Sequence, residues 1–338
     1  MKFDFVIGNP PYQEETKDTS DIPVYNKFMD AAYEIADKVE LITPARFLFD
    51  AGKTPKAWNE KMLADPHLKV LFYEQNSSKV FVNTDIKGGV CVSYHDKTQN
   101  FGAIGAFSAF PELNSILHKV IGAQGFETLD DLIVQQNKWN LEALYQDYPE
   151  YQSRIGSGGT EKRLTTPIFS SLEVFRETKR KGDIKILGLI SNKRYYRYIE
   201  RKYIEARHDN MLKYKVIIPA SNGSGAIGEV LSTPLVGEPL VGYTQSFIGI
   251  GVFDSEAEAQ AALKYVKTKF ARTMLGILKV TQHNHKGTWK YVPLQDFTSQ
   301  SDIDWTESVA EIDQQLYKKY KLSKEEIAFI ESHVKEMA

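Results

Sequence analysis

The sequence predicts an α/β fold in its first part and a mixed α+β fold in its second. Two patterns carry this reading. Short apolar runs alternate with amphipathic stretches from Phe3 to Tyr94, as in a parallel sheet with crossover helices. Beyond Asn140 the chain mixes isolated strand-like runs with long stretches of three-to-four apolar spacing. Phe3-Asp4-Phe5-Val6-Ile7 reads as a strand, stopped by Asn9-Pro10-Pro11-Tyr12 because proline cannot donate to a ladder. Tyr25 to Ala36 has helical spacing, Val39 to Thr43 is a second strand, and Lys56 to Leu63 a helix. Strands follow around Leu68 to Tyr73 and Gly89 to Tyr94. Phe107 to Asn140 reads as the connection between the parts. In the second part, Ile184 to Ile190 and Tyr214 to Pro219 read as strands and Glu256 to Leu278 as one long helix. Ser308 to Tyr320 and Ser323 to Met337 read as tail helices, the last opened by a Ser323/Glu326 capping box.

Composition narrows the class. Of 338 residues, 42% are hydrophobic and 25% charged, which supports a real core. Lys and Arg number 42 against 44 Asp and Glu, so a uniformly basic nucleic-acid binder is excluded. The balance hides a split: Met1 to Asn140 has 14 basic and 19 acidic residues, whereas Arg176 to Lys215 has 13 and 5. Any nucleic-acid surface is therefore expected in the second part. The single Cys91 excludes a disulfide scaffold and a cysteine zinc site, and is expected to be a core residue. No apolar run is long enough to span a membrane and the start has no signal-peptide shape, so a soluble, cytoplasmic protein without a membrane partner is expected.

The chemistry centres on Asn9, Pro10, Pro11 and Tyr12, at the carboxyl end of a predicted parallel strand, where open α/β sheets place ligands. An exocyclic amino group on an aromatic ring is a poor nucleophile, because its lone pair delocalises into the ring. Alkylating it requires two acceptors that draw its hydrogens out of plane. The Asn9 side-chain oxygen and the Pro10 carbonyl are such acceptors. The proline pair stiffens the loop that presents them, and the Tyr12 ring can stack on the base, worth about 1–3 kcal/mol. The competing reading is a rigid turn with a buried tyrosine.

At these residues the chain resembles adenine-N6 DNA methyltransferases of bacterial restriction-modification systems. FDFVIGNPPYQ, VYNKFMDAAYEIADKVELITPARFLFDAG and LKVLFYEQNSSKVFVNTDIKGGVCVSY are similar to the catalytic half. YKVIIPASNGSGAIGEVLSTP, ALKYVKTKFARTMLGILKVTQ, YVPLQDF and DIDWTESVAEIDQQLYKKYKLSKEEIAFIE are similar to the target-recognition part. The resemblance implies the C-terminal half of a Rossmann-like methyltransferase sheet over residues 1–125, joined to a DNA target-recognition domain over 126–338. It implies S-adenosylmethionine as donor and a flipped adenine as acceptor. Phe81 falls where the family places a second aromatic against the flipped base; a core aromatic is the other reading.

The family's glycine-rich donor loop normally precedes this motif, and only eight residues precede Asn9. Gly223-Ser224-Gly225-Ala226-Ile227-Gly228 has dinucleotide-fingerprint spacing, but the short, proline-terminated segment after it is no anion-holding helix. No donor-binding residue is assigned. Either a second chain supplies the missing strands and donor loop to the open sheet edge, or the chain is a truncated remnant.

Double-stranded DNA is the expected partner. Lys193, Arg194, Tyr196, Arg197, Arg201 and Lys202 interleave cations with aromatics, suited to phosphates and sugars; an amphipathic surface is the alternative. Lys279 and Gln282 form a second polar cluster, and with Asn222 they are candidates for DNA contact. His283 and His285 lack further ligands, so no metal is expected. Two other functions compete with a methyltransferase component: a catalytically silent DNA-binding specificity subunit, and a methyltransferase acting on protein glutamine or ribosomal RNA.

Overall fold

A computed structural model describes residues 3–14, 22–49, 53–84, 86, 88–156, 158–205, 210–223, 226–279 and 282–337. The chain is mixed α/β with several sheets and divides into two units, Met1–His118 and Lys119–Ala338. The division falls within a helix, α3 (Pro111–Ile121). The boundary expected at residue 125 lies just beyond that helix.

The first unit is built on a four-stranded sheet of β1 (Phe3–Gly8), β2 (Ala36–Pro44), β3 (Leu68–Glu74) and β4 (Val90–Asp96), in the order β1-β2-β4-β3. β1 and β2 pair in parallel across α1 (Tyr25–Ile35), and α2 (Lys56–Ala64) leads into β3. β4 runs antiparallel to both β2 and β3, lying between them. The expected all-parallel sheet is therefore corrected at its fourth strand. A parallel return needs a long crossover, and the described residues between β3 and β4 hold only a single 3₁₀ turn, Ser77–Lys79.

One face of this sheet carries the core. Val39 and Leu41 of β2 and Leu68 of β3 pack with Tyr25, Met29 and Ala32 of α1, and Phe47, Trp58 and Met62 join them. Trp58 Nε1 donates to Asp30 at 2.9 Å, tying α2 to α1. Cys91 is fully buried against Thr43, and burial pushes its thiol up to about 12, so it is an inert core residue. β1 pairs with β2 on one edge only among the described residues, and Phe3, Phe5 and Ile7 are exposed along it.

Gly88 and Gly89 turn the chain into β4 with φ of +85° and +78°. A Cβ on Gly89 would stand 2.3 Å from the Glu74 carbonyl oxygen and 2.7 Å from Gln75 Cα, while its own carbonyl accepts from Ala45 N at 3.0 Å. Gly89→Ala is expected to destabilise the first unit by about 2 kcal/mol or more, combining positive φ with a backbone clash. A urea midpoint equal to that of the wild type would contradict this.

Among the described residues, the second unit has two sheets. β5 (Asp183–Ile190) and β6 (Lys193–Glu200) form a hairpin, and β9 (Val241–Tyr243) joins β5 in parallel. β7 (Tyr214–Pro219) pairs antiparallel with both β8 (Leu235–Gly237) and β10 (Phe247–Phe253), and Ile133–Val134 adds to β10. The long helix expected over Glu256 to Leu278 is two helices, α4 (Glu256–Lys267) and α5 (Lys269–Gly276). Thr268 separates them by accepting from Ala271 N, and the Asp313 carboxylate accepts from Lys269 N and Phe270 N at 2.9 and 2.8 Å. The tail helices α6 (Val309–Lys319) and α7 (Lys324–His333) each start with a capping box, Ser308/Glu311 and Ser323/Glu326. Among the described residues, no helix is long and apolar enough to cross a membrane.

Candidate functional site

Asn9, Pro10, Pro11 and Tyr12 leave the carboxyl end of β1 and line a cavity of about 780 Å³ in the first unit. The backbone carbonyl of Tyr12 accepts from Val24 N at 3.1 Å, closing the loop against the start of α1. Asn9 is exposed and its side chain makes no hydrogen bond among the described residues; the Pro10 carbonyl likewise accepts none there. Two acceptors on a rigid loop are thus unspent by the fold.

Tyr12 is half-buried, and its hydroxyl is enclosed with no hydrogen-bond partner among the described residues. Burial pushes that phenol up to about 12, the nearby Cys91 adding slightly. What Tyr12 offers the cavity is therefore its ring. Phe81 lines the same cavity with its ring centroid 6.5 Å from that of Tyr12, edge-on at 63°. The structure brings Phe81 to the loop across a long stretch of chain, and the aromatic pair forms one wall.

Sequence reasoning missed further lining residues. Tyr25, Arg46, Lys53 and Thr54 also line the cavity, and no Asp or Glu is among its described lining residues. Arg46 follows the end of β2, in a segment held by the Ala45 N–H to Gly89 carbonyl bond. A cationic lining within an acidic part of the chain is a long-range product and leaves no local pattern.

The described lining answers only part of S-adenosylmethionine. The donor carries a carboxylate besides its sulfonium and ammonium, and Arg46 and Lys53 have the charge to meet the carboxylate, but no Asp or Glu among the described lining residues would pair with the ammonium. The Gly223 to Gly228 segment, not expected to hold the donor, shows no such site among the described residues. Ser224 and Gly225 lie outside the described residues, and no helix follows Gly228. A Cβ on Gly228 would stand 2.3 Å from Val334 Cγ2, so tight packing accounts for this glycine.

In the second unit, several proposed DNA contacts are reassigned. Lys279 is buried, donating to the Asn222 carbonyl at 3.0 Å and pairing with Glu229 at 2.7 Å. Asn222 is buried too, donating from Nδ2 to the Val230 carbonyl and accepting from Asn284. Both hold the segment around Gly223 in place, so neither presents its side chain to DNA. Gln282 is exposed. Arg194 donates to the carbonyls of Thr233 and Ser232 at 2.7 and 2.8 Å and lies over the Phe247 ring, which makes it a clamp between segments.

The rest of the basic stripe is partly neutralised by carboxylates. Arg197 pairs with Glu177, and Lys202 pairs with Asp147 at 2.7 Å and Glu200 at 3.5 Å. Tyr196 carries the Lys185 ammonium 4.1 Å above its ring. Lys193 and Arg201 are exposed and make no side-chain hydrogen bond or ion pair among the described residues. Asp183 is buried and bonded to Arg176 and to Arg180 N, a structural carboxylate. His283 and His285 are both exposed.

The cavity of the first unit is thus a strand-end site that brings Asn9, Pro10 and the Tyr12 and Phe81 rings together. Residues 1–81, which include this loop and Phe81, match the family described as Eco57I restriction-modification methylase. A protein of Mycoplasma pneumoniae (strain ATCC 29342 / M129 / Subtype 1), named an uncharacterized adenine-specific methylase, is 30% identical over 96 residues. That match covers 27% of this chain and 23% of the relative. Among solved structures, the type IIG restriction endonuclease BpuSI aligns at 10% identity and a TM-score of 0.34, over 98% of this chain and 54% of that one. The type IIL restriction-modification enzyme MmeI, solved in complex with DNA, aligns at 10% identity and a TM-score of 0.35, over 97% and 56%. The chain therefore matches about a quarter of the curated relative and about half of each solved enzyme.

Proposed function

We propose that this chain is the acceptor-holding and DNA-recognising component of an adenine-N6 DNA methyltransferase of a restriction-modification system. The observation that carries the reading is the pair of unspent acceptors, Asn9 and the Pro10 carbonyl, beside the Tyr12 and Phe81 rings. The match of residues 1–81 to a restriction-modification methylase family supports it. A target adenine must leave the duplex to reach such a cavity. Tyr12 and Phe81 replace part of the lost stacking, and Asn9 and Pro10 accept from the two amino hydrogens. Drawing those hydrogens out of the ring plane localises the nitrogen lone pair.

The described lining of the cavity supplies only part of a donor site, and among the described residues β1 is an edge strand next to the loop. The donor-binding segment therefore pairs along β1, covering Phe3, Phe5 and Ile7. Whether it belongs to a longer form of this chain or to a second chain, it completes the sheet. The incomplete donor site also favours a second reading, a catalytically silent specificity component.

Labelled S-adenosylmethionine, duplex DNA and the purified chain, alone and with an extract of the cells that make it, separate the two. The extract should yield labelled N6-methyladenine that depends on the added chain. Salt-sensitive DNA binding with no chain-dependent label would favour the silent component. Tyr12 offers a finer check. Tyr12→Phe should leave adenine binding unchanged, because the hydroxyl has no partner among the described residues. Tyr12→Ala should weaken it roughly 5- to 150-fold through lost stacking. Equal losses in both variants would mean that the hydroxyl itself contacts the base.

A further inference from the structure

Building on the reading that this chain acts on DNA, we propose that a polar cleft in the second unit, rather than the tyrosine-rich β6 strand, reads the edges of DNA bases. The cleft holds about 650 Å³, and its exposed lining includes Gln135, Arg163, Asn192, Gln245 and His283. No Asp or Glu is among its described lining residues. A small-molecule pocket is mostly apolar with a few polar groups. Here most of the lining residues are polar, among them amides that donate and accept together and cations that tolerate a polyanion. Asn and Gln match the N6 and N7 edge of adenine, and Arg matches O6 and N7 of guanine.

The shape suits a groove as well. β5 and β6 pair down to Ile190 and Lys193, leaving a two-residue turn of Ser191 and Asn192 with φ of +50° and +60°. Positive φ at both positions is what a tight hairpin turn demands, and Asn is among the residues that accept it at little cost. The turn is exposed, and a two-stranded ribbon is of a size the major groove admits.

The backbone around the readers is held in advance. Arg194 clamps the Ser232 and Thr233 carbonyls of the cleft wall. The Thr166 and Ser246 hydroxyls meet at 2.6 Å next to Gln245, and Ser221 bridges to His283. By contrast, Arg163, Asn192 and Gln245 make no side-chain hydrogen bond or ion pair among the described residues. Fixed backbone with uncommitted amides is the arrangement expected of a base-reading surface.

Selection from a random-duplex library tests this, using the full chain and its Asn192→Gly/Gln245→Ala double variant. Gln245 is exposed and glycine accepts the positive φ of the turn at Asn192, so the variant's thermal unfolding should match the wild type. The wild type should enrich a motif, and the variant should lose roughly 5- to 150-fold discrimination at one or two of its positions. Low-salt affinity for unselected duplex should not change. A variant that enriches the same motif as strongly would overturn the cleft while leaving the DNA reading intact. So would a wild type that binds duplex but enriches nothing. Absence of duplex binding at low salt would instead sink the DNA reading itself.

Discussion

In an assembly competent for methyl transfer, Asn9→Ala lowers turnover by about 10²–10³-fold, the loss seen when one preorganised hydrogen-bonding group is removed from a reacting centre. Duplex affinity stays at the wild-type value. The reason lies in what Asn9 does not do. It stands exposed at the end of β1 and spends no side-chain hydrogen bond on the described structure, so its removal leaves the fold intact. Pro10 still offers one carbonyl, but a single acceptor cannot hold both amino hydrogens. The remaining amine keeps its lone pair in the ring. Turnover by wild type and variant on one duplex, alongside their affinities, checks this. Parallel loss of turnover and affinity would show that Asn9 supports the loop rather than the chemistry.

The second large effect concerns stability. Lys215 on β7 is wholly buried with no carboxylate partner among the described residues, its ammonium donating to the carbonyls of Asn210, Lys213 and Glu238 at 2.8, 2.8 and 2.9 Å. Burial pushes its amine down to about 7, against an ordinary value near 10.5. Between those values the unfolded chain binds more protons than the folded one, so stability rises with pH. The slope approaches about 1.4 kcal/mol per pH unit from this one residue. Other groups titrate in the same range, including Cys91, whose raised value acts in the opposite direction. The difference between wild type and Lys215→Met cancels them. Denaturant unfolding from pH 7.5 to 9.5 should show the wild type gaining on the variant as pH rises. Parallel pH profiles would mean that the amine keeps its ordinary affinity for protons inside the fold.

Local features were legible in the sequence. The β1 strand, its proline stop, α1, α2 and the Ser323/Glu326 cap depend on neighbours a few residues apart. What misled were features settled across the chain. The break at Thr268 is reinforced by Asp313, and the direction of β4 depends on the missing crossover before it. Charge counting behaved likewise. The excess over Arg176 to Lys215 is partly offset by Asp147, which lies outside that window, and Lys215 itself is buried. Lys279 and Asn222, polar in a segment read as recognition, turn inward on Glu229 and Val230. The cleft of Gln135, Arg163, Asn192, Gln245 and His283 draws on five separate places and has no linear signature. In the cavity, Asn9 to Tyr12 were legible because one loop holds them. Arg46 and Lys53 were not, because other segments bring them there.

The most direct test is the pattern of N6-methyladenine in the genome of the cell that makes this protein, with every neighbouring segment and partner in place. Wild-type and chromosomal Asn9→Ala cells are compared by sequencing that detects modified adenine. If Asn9 holds a flipped adenine, one methylated sequence motif disappears in the variant while other modified motifs persist. If every motif stays methylated to the same extent, this cavity does not methylate adenine in DNA.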